Sequence, residues 1–175
     1  MIVGHREIMA EPVTLEDLFL FQLRDMYDAE QRQTQAFPRL AETAGSPELQ
    51  RALSSHLAET DNHLARLDRI FGILEEHPAG KTCEAIRCFL EDFDAVTDDD
   101  VDGAISDERL IAAARKVEHY EIAGYGTLRT WADLLGRKEA AQLLDFTLEE
   151  ESLADGTLNE IARRMNIRTA VIRRR

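Results

Sequence analysis

Apolar side chains recur at every third or fourth position along four long stretches of the chain, the spacing of helices with one buried face. The predicted helices cover residues 15–44, 47–76, 107–135 and 138–165. Thr14 followed by Asp17 gives a capping pattern before the first helix. Ser46 and Pro47 give an N-cap and a first helical position before the second. The pattern therefore predicts a mostly helical chain.

Other residues predict where these helices bend or end. Pro38 lies inside the first helix and is expected to kink it or break it locally. Gly45 and Gly136 follow the first and third helices as stop residues. Ser106 or Asp107 is expected to cap the third helix.

The connections between the helices predict the topology. Two short turns are separated by one long connection, which contains an apolar segment at 83–96 and an acidic run at 98–103. The acidic run lacks the glutamate at the twelfth position of a calcium loop, so we interpret it as a solvated loop. We predict an all-α fold, a ferritin-like four-helix bundle of two antiparallel helical hairpins whose long crossover carries a short extra helix.

The length of 175 residues fits one domain. We expect a flexible N-terminus at 1–13, the bundle at 14–167 and a basic C-terminal tail at 168–175.

The two halves of the chain resemble a diverged internal repeat. Adding 91 to the residue number carries Glu30 to Glu121 and Glu59 to Glu150, and it also aligns leucines and the two glycine stops. The two glutamates of each half are therefore both 29 residues apart. This agreement favours a pseudo-twofold bundle with its acids at one level.

Charge and cysteine content indicate which partners and which cellular compartment to expect. The formal net charge of -13 disfavours binding to nucleic acid and to anionic membrane surfaces. No apolar run is long enough for a membrane span. Cys83 and Cys88 are the two cysteines, and we expect core thiols in a reducing, cytoplasmic compartment rather than a disulfide.

Glutamates interrupt the apolar stripes of all four predicted helices near their middles. Ionised carboxylates buried together repel one another, so such a cluster persists only when protons or cations compensate it. Carboxylates with one or two imidazoles form a hard site suited to two iron or manganese ions. The candidate metal ligands are Glu30, His56, Glu59, His63, Glu118, Glu121 and Glu150.

For two of these ligands, a nearby residue is an alternative candidate. His56 is favoured over His63, because it precedes Glu59 by one turn and shares a level with Glu118 in the predicted bundle. Glu151, next to Glu150, is interpreted as a surface residue. Tyr27 and Tyr125 are possible hydrogen-bond donors beside the site.

Several strings of the sequence resemble the YciE/YciF-like ferritin-like proteins of bacteria. These strings are LEDL at 15–18, YDAEQ at 27–31, HLAET at 56–60, VEHYEIAGYG at 117–126 and LEEE at 148–151. The resemblance covers residues 14–167 and implies a ferritin-like bundle, a di-metal centre, homodimers and a role in bacterial stress responses.

The resemblance leaves the chemistry open between two hypotheses. The first is a di-iron or di-manganese protein that acts on peroxide or dioxygen. The second is a non-enzymatic dimeric stress or scaffold bundle with a structural metal or none. The second draws on a departure from the ferritin pattern, because positions 153 and 154 are Leu and Ala and supply no imidazole.

Overall fold

A computed structural model describes residues 12–79, 81–97 and 103–172 of the chain. Within those ranges the chain forms five helices and no strand: α1 (Leu15–Thr43), α2 (Pro47–Leu74), α3 (Glu84–Thr97), α4 (Gly103–Leu134) and α5 (Lys138–Ile172). The predicted all-α fold is confirmed. Most of the predicted N-terminal segment, most of the acidic run and residues 173–175 lie outside the described ranges.

The four long helices pack as two antiparallel hairpins, α1 with α2 and α4 with α5. Helix α1 also packs on α4, and α2 on α5. Gln33 contacts Glu121, and Gly45 contacts Asp107, so residue numbers on α4 fall as those on α1 rise. Helix α3, in the crossover, packs against α1 and α4. This is the predicted bundle with one long crossover.

Most helix ends follow local sequence. The Thr14 hydroxyl accepts the Asp17 N–H at 3.1 Å, and the Asp17 carboxylate accepts the Thr14 N–H at 3.0 Å, which completes the predicted capping box. Gly136 has a φ of 71°, a conformation that favours glycine. Helix α1 continues through Pro38 to Thr43, so the predicted break does not occur there.

Asp107 has a different role from the predicted cap of the third helix. Helix α4 already begins at Gly103, which places Asp107 inside its first turns. Its buried carboxylate accepts the N–H groups of Gly45 at 2.7 Å and Ser46 at 2.8 Å. The Ser46 side chain makes no capping hydrogen bond, and Asp107 instead binds the two N–H groups that immediately precede α2 from across the bundle.

The crossover is fixed to α1 by polar contacts. Asp28 accepts the backbone N–H of Cys83 at 2.7 Å, and Lys81 pairs with Asp25 at 2.7 Å. Cys83 is a buried free thiol, as expected, whereas Cys88 is exposed, so the prediction of a core thiol is wrong there.

The apolar core consists of two clusters. One lies toward the α1–α2 turn and includes Phe37, Leu53 and Leu110. The other lies toward the opposite end and includes Phe19, Leu67 and Leu128. On α2, α4 and α5 buried polar residues separate the residues of one cluster from those of the other, and on α1 Glu30 and Gln33 lie between Met26 and Phe37. The bundle therefore encloses a polar layer near its middle.

Candidate metal centre

All four long helices supply buried polar side chains to this layer. They are Glu30 and Gln33 from α1, His56, Thr60 and His63 from α2, Glu118 and Glu121 from α4, and Thr147 and Glu151 from α5. Four of them are carboxylates with no solvent-exposed surface. Buried carboxylates are rare in protein interiors unless something compensates their charge.

The carboxylates and histidines form two groups with the spacing of metal ligands. His56, Glu118, Glu121 and Glu151 offer ligand atoms that all lie within 4.8 Å of one another. Glu30, His63 and Glu151 form a second such group. Glu151 belongs to both groups, so its two carboxylate oxygens lie between the two candidate ion positions.

Individual distances define the two groups. His56 Nε2 lies 3.4 Å from Glu118 Oε1 and 3.9 Å from Glu151 Oε2. His63 Nδ1 lies 2.9 Å from Glu151 Oε1 and 3.2 Å from Glu30 Oε1. The imidazole nitrogens of both histidines therefore point toward the carboxylates.

Neutral side chains orient two of the carboxylates. Gln33 donates a hydrogen bond from its amide to Glu121 Oε1, and Tyr125 donates one from its hydroxyl to Glu30 Oε1. Tyr125 is fully buried. Such donors fix the direction in which the remaining carboxylate oxygen points, as partners of metal ligands commonly do.

Many polar atoms of the layer have no hydrogen-bond partner in the protein. Within the described part of the chain, the atoms without a well-aligned hydrogen bond include both ring nitrogens of His56, His63 Nδ1, Glu30 Oε2, Glu121 Oε2 and both carboxylate oxygens of Glu118 and of Glu151. Of these, His63 Nδ1 and Glu151 Oε1 lie at ion-pair distance from each other. Each unsatisfied buried polar group costs about 1–3 kcal/mol. Nine such atoms in one layer fit a site whose atoms bind a cation.

Burial changes the acidity of the carboxyl groups. Burial raises the pKa of Glu118 well above its usual value, and repulsion from Glu151 raises it further. Burial raises the pKa of Glu121 in the same way, with repulsion from Glu30. The pKa of Glu30 is also raised by burial, although His63 opposes that rise. Without cations, these carboxyl groups therefore retain protons to higher pH than exposed glutamates.

His63 and Glu151 stabilise each other's charge. Burial disfavours the imidazolium of His63, but the carboxylates of Glu151 and Glu30 outweigh burial and raise its pKa to about 10. Burial likewise works against the Glu151 carboxylate, and His63 outweighs it, so the pKa of Glu151 is lowered. Without a cation, a proton on His63 partly compensates the acids.

The structure places five of the seven predicted residues together: Glu30, His56, His63, Glu118 and Glu121. Both histidines lie in the layer, one in each group. Their positions therefore do not favour His56 over His63 as a ligand.

Glu59 and Glu150 lie outside the two groups. The Glu59 side chain is 38% exposed and lies 3.5 Å from His56 Nδ1. Glu150 is 31% exposed and pairs with Arg66 at 2.8 Å, and its other oxygen lies 2.9 Å from His63 Nε2. The expectation that both acids face the interior is therefore wrong, because they flank the histidines from outside.

On α5 the predicted apolar stripe is one residue out of register. The buried positions there are Ala140, Ala141, Leu144, Thr147, Glu151, Leu158 and Ile161. Phe146 and Leu153, which share the helical spacing of Glu150 and would lie on one stripe with it, are 57% and 70% exposed. One residue rotates a side chain by about 100° around a helix, which is enough to exchange Glu150 for Glu151.

The buried residues of the two hairpins correspond at an offset of 88 rather than 91. Glu30 and Glu118, Gln33 and Glu121, and His63 and Glu151 are each 88 residues apart. The leucines align only at the offset of 91, which differs from 88 by three residues, or slightly less than one helical turn of about 3.6. Gln33, one turn after Glu30 on the same face, is the signal in the sequence that could have revealed this offset.

The fold and this layer define a helical-bundle protein with a carboxylate and histidine interior. The chain belongs to the family described as domain of unknown function (DUF892), whose model matches residues 14–170. It is 39% identical to the protein YciF of Escherichia coli strain K12 over 150 residues, which are 85% of this chain and 90% of YciF. The resemblance to YciF-like proteins is thus confirmed.

Solved structures agree with this assignment. The crystal structure of the E. coli stress protein YciF matches with a TM-score of 0.85 and 38% identity, covering 88% of this chain and 98% of that one. YcfI from Rhodopseudomonas palustris, described as a candidate structural protein, matches with a TM-score of 0.79 and 41% identity, covering 83% and 93%. A Xanthomonas campestris protein with 22% identity and a TM-score of 0.69 shares the fold. None of the helices in the described ranges has the length and apolarity that crossing a membrane requires.

Proposed function

We propose that the polar layer is a di-metal carboxylate centre that binds two iron or manganese ions and acts on peroxide or dioxygen in a bacterial stress response. The observation that carries the proposal is the shared position of Glu151 in two ligand groups. One group has three carboxylates and an imidazole, and the other has two carboxylates and an imidazole. Such oxygen-rich sets with nitrogen ligands suit iron and manganese.

The charge of the layer supports two divalent ions. Glu30, Glu118, Glu121 and Glu151 contribute four negative charges when ionised, and neutral His56 and His63 contribute none. Two divalent cations balance this charge. With a single divalent cation, the remaining two carboxyl groups would have to keep protons or be compensated by a protonated His63.

The residues of the chain would have separate tasks. Glu151 would bridge the two positions, while His56 and His63 would each bind one ion through a neutral imidazole. Gln33 and Tyr125 would hold Glu121 and Glu30 in place through the hydrogen bonds described above. The pKa of about 10 at His63 means that ion binding must displace a proton there, so affinity should rise with pH.

When bound by these residues, two ions of a redox-active metal would supply two electrons, enough with two protons to reduce one hydrogen peroxide molecule to two water molecules. Continued turnover requires an external reductant that returns those electrons. The apolar clusters on both sides of the layer exclude bulk water from the reacting groups.

Metal content and peroxide consumption test the proposal. We expect purified protein loaded anaerobically with Fe²⁺ or Mn²⁺ to retain about two ions per chain after desalting, as measured by elemental analysis. The loaded protein should consume hydrogen peroxide faster than the same concentration of free metal. Fewer than one ion per chain would contradict the proposal.

The description of the relative YcfI as a candidate structural protein favours a second possibility, a non-enzymatic dimeric bundle. In that case loaded protein would consume no more peroxide than free metal, and metal would raise only the thermal stability. Homodimerisation and a cytoplasmic location remain predictions common to both functions. Sedimentation should give about twice the 19.9 kDa mass of one chain if the dimer forms.

A further inference from the structure

A cavity of about 110 Å³ leads from the protein surface to one end of the polar layer. It lies in the seam between α2 and α5. Its lining residues are Ala52, Leu53, Ser55, His56, Glu59, Glu118, Leu153, Ala154, Thr157 and Leu158. Ser55, Leu153 and Thr157 are exposed, whereas Leu53, His56 and Glu118 are buried, so the cavity spans the whole path from solvent to the candidate ligands.

The inner end of the cavity carries unsatisfied polar atoms. Both ring nitrogens of His56 and both carboxylate oxygens of Glu118 are buried and have no hydrogen-bond partner in the protein. A molecule in the cavity would therefore reach the His56 group directly.

The same seam is closed at the His63 group. Arg66 donates to Glu150 at 2.8 Å and to the Thr147 hydroxyl at 3.2 Å, and Glu150 in turn lies 2.9 Å from His63 Nε2. Arg66 and Glu150 thus fill the seam two turns away from the cavity. The two ends of the layer differ in access, although both contain a histidine.

The size and charge of the cavity restrict what enters. Its volume is below the roughly 150 Å³ of an apolar cavity that holds benzene and far below the about 300–1,000 Å³ of sites for larger ligands. Most of its lining is apolar, and the Glu59 carboxylate at its margin disfavours anions. Ala154 lies along the cavity, where its methyl group leaves space that a larger side chain would occupy.

We infer that this cavity is the access route for a small uncharged oxidant, hydrogen peroxide or dioxygen, to the His56 end of the layer, and that Ala154 sets its size limit. The inference rests on the proposed function, because it names the route by which a substrate reaches the same centre. Larger hydroperoxides and anionic oxidants are excluded.

Ala154→Leu tests the route by filling it. We expect this variant to retain the wild-type iron content, while nitric oxide binds to its ferrous form at least about tenfold more slowly in stopped-flow absorbance. Ser55→Leu, at the exposed mouth, should slow nitric oxide binding in the same direction with little risk to folding. Ala58→Leu is the matched control, since Ala58 is exposed on α2 outside the cavity, and it should leave the rate unchanged.

Substrate comparison tests the size limit. Wild-type protein should consume tert-butyl hydroperoxide at least about tenfold more slowly than hydrogen peroxide, because the bulky hydroperoxide does not fit the cavity. Dioxygen as the substrate is identified if ferrous protein is oxidised by air-saturated buffer faster than by equimolar hydrogen peroxide. Equal rates with both hydroperoxides would overturn the size limit.

A third measurement separates the route from the metal centre. Crystals of metal-free protein under xenon pressure should show xenon between Leu53 and Ala154 in the wild type and none in Ala154→Leu. If Ala154→Leu has full iron content and binds nitric oxide at the wild-type rate, the access route is overturned and the proposed metal centre is unaffected. Wild-type protein that holds xenon but binds no iron overturns the proposed function, and the role of the cavity in it.

Discussion

Glu151→Gln should reduce the metal content from about two ions per chain to fewer than one, because Glu151 is the residue that the two ligand groups share. Removing a partner of a metal ligand typically costs about 10–100-fold in affinity, and losing a ligand common to both positions should cost more than that. Elemental analysis after desalting and calorimetric titration with Mn²⁺ measure the loss.

Two neighbouring residues provide the controls. Glu149→Gln changes an exposed acid two residues away and should bind metal as the wild type does. Glu150→Gln should weaken binding by about tenfold, because Glu150 contacts His63 from outside the layer. If Glu150→Gln loses the metal while Glu151→Gln retains it, the register of α5 given above is wrong.

Glu118→Leu should have opposite effects on stability and on metal binding. Neither carboxylate oxygen of Glu118 has a hydrogen-bond partner, and the side chain is fully buried. A buried polar group without a hydrogen-bond partner costs about 1–3 kcal/mol, and an apolar side chain of similar volume does not carry that cost. The metal-free variant should therefore unfold at a higher denaturant concentration than the metal-free wild type, and it should bind less metal.

The stability gain should depend on pH in a defined direction. The pKa of Glu118 is raised in the folded state, so the stability linked to its protonated form is fully present below the ordinary glutamate value and is lost as pH rises through the folded value. The advantage of Glu118→Leu should thus be small near pH 4.5 and grow toward pH 8. Glu149→Leu, at an exposed position, should give no such trend. A metal-free variant less stable than the wild type at pH 8 would show that burying the Glu118 carboxyl group does not cost stability.

The sequence predicted the bundle well because helical periodicity, turn residues and connection lengths are local signals. The capping box at Thr14 and the glycine at 136 stand where those signals placed them. Asp107 shows the limit of local reasoning. Its carboxylate accepts N–H groups from residues about sixty positions away, so the partners of that cap depend on packing between hairpins.

The sequence predicted that a cluster of buried acids and histidines would form. It was less successful in predicting which residues belong to that cluster. Glu30, Glu118 and Glu121 lie on apolar stripes that the sequence defines clearly. On α5 three glutamates are consecutive, and exposed Phe146 and Leu153 form a stripe that competes with the true one. Which of two neighbouring acids faces inward there depends on how α5 rotates against α2 and α4, which sequence periodicity alone leaves undetermined.

Anomalous scattering from crystals grown with Fe²⁺ or Mn²⁺ tests whether the polar layer holds two metal ions. Maps from data on the high-energy side of the metal's absorption edge should contain two peaks per chain within about 2.0–2.3 Å of ligand atoms, and these peaks should weaken sharply on the low-energy side. One peak should lie among His56, Glu118, Glu121 and Glu151, and the other among Glu30, His63 and Glu151. An absence of peaks in this layer from metal-saturated crystals would contradict the account.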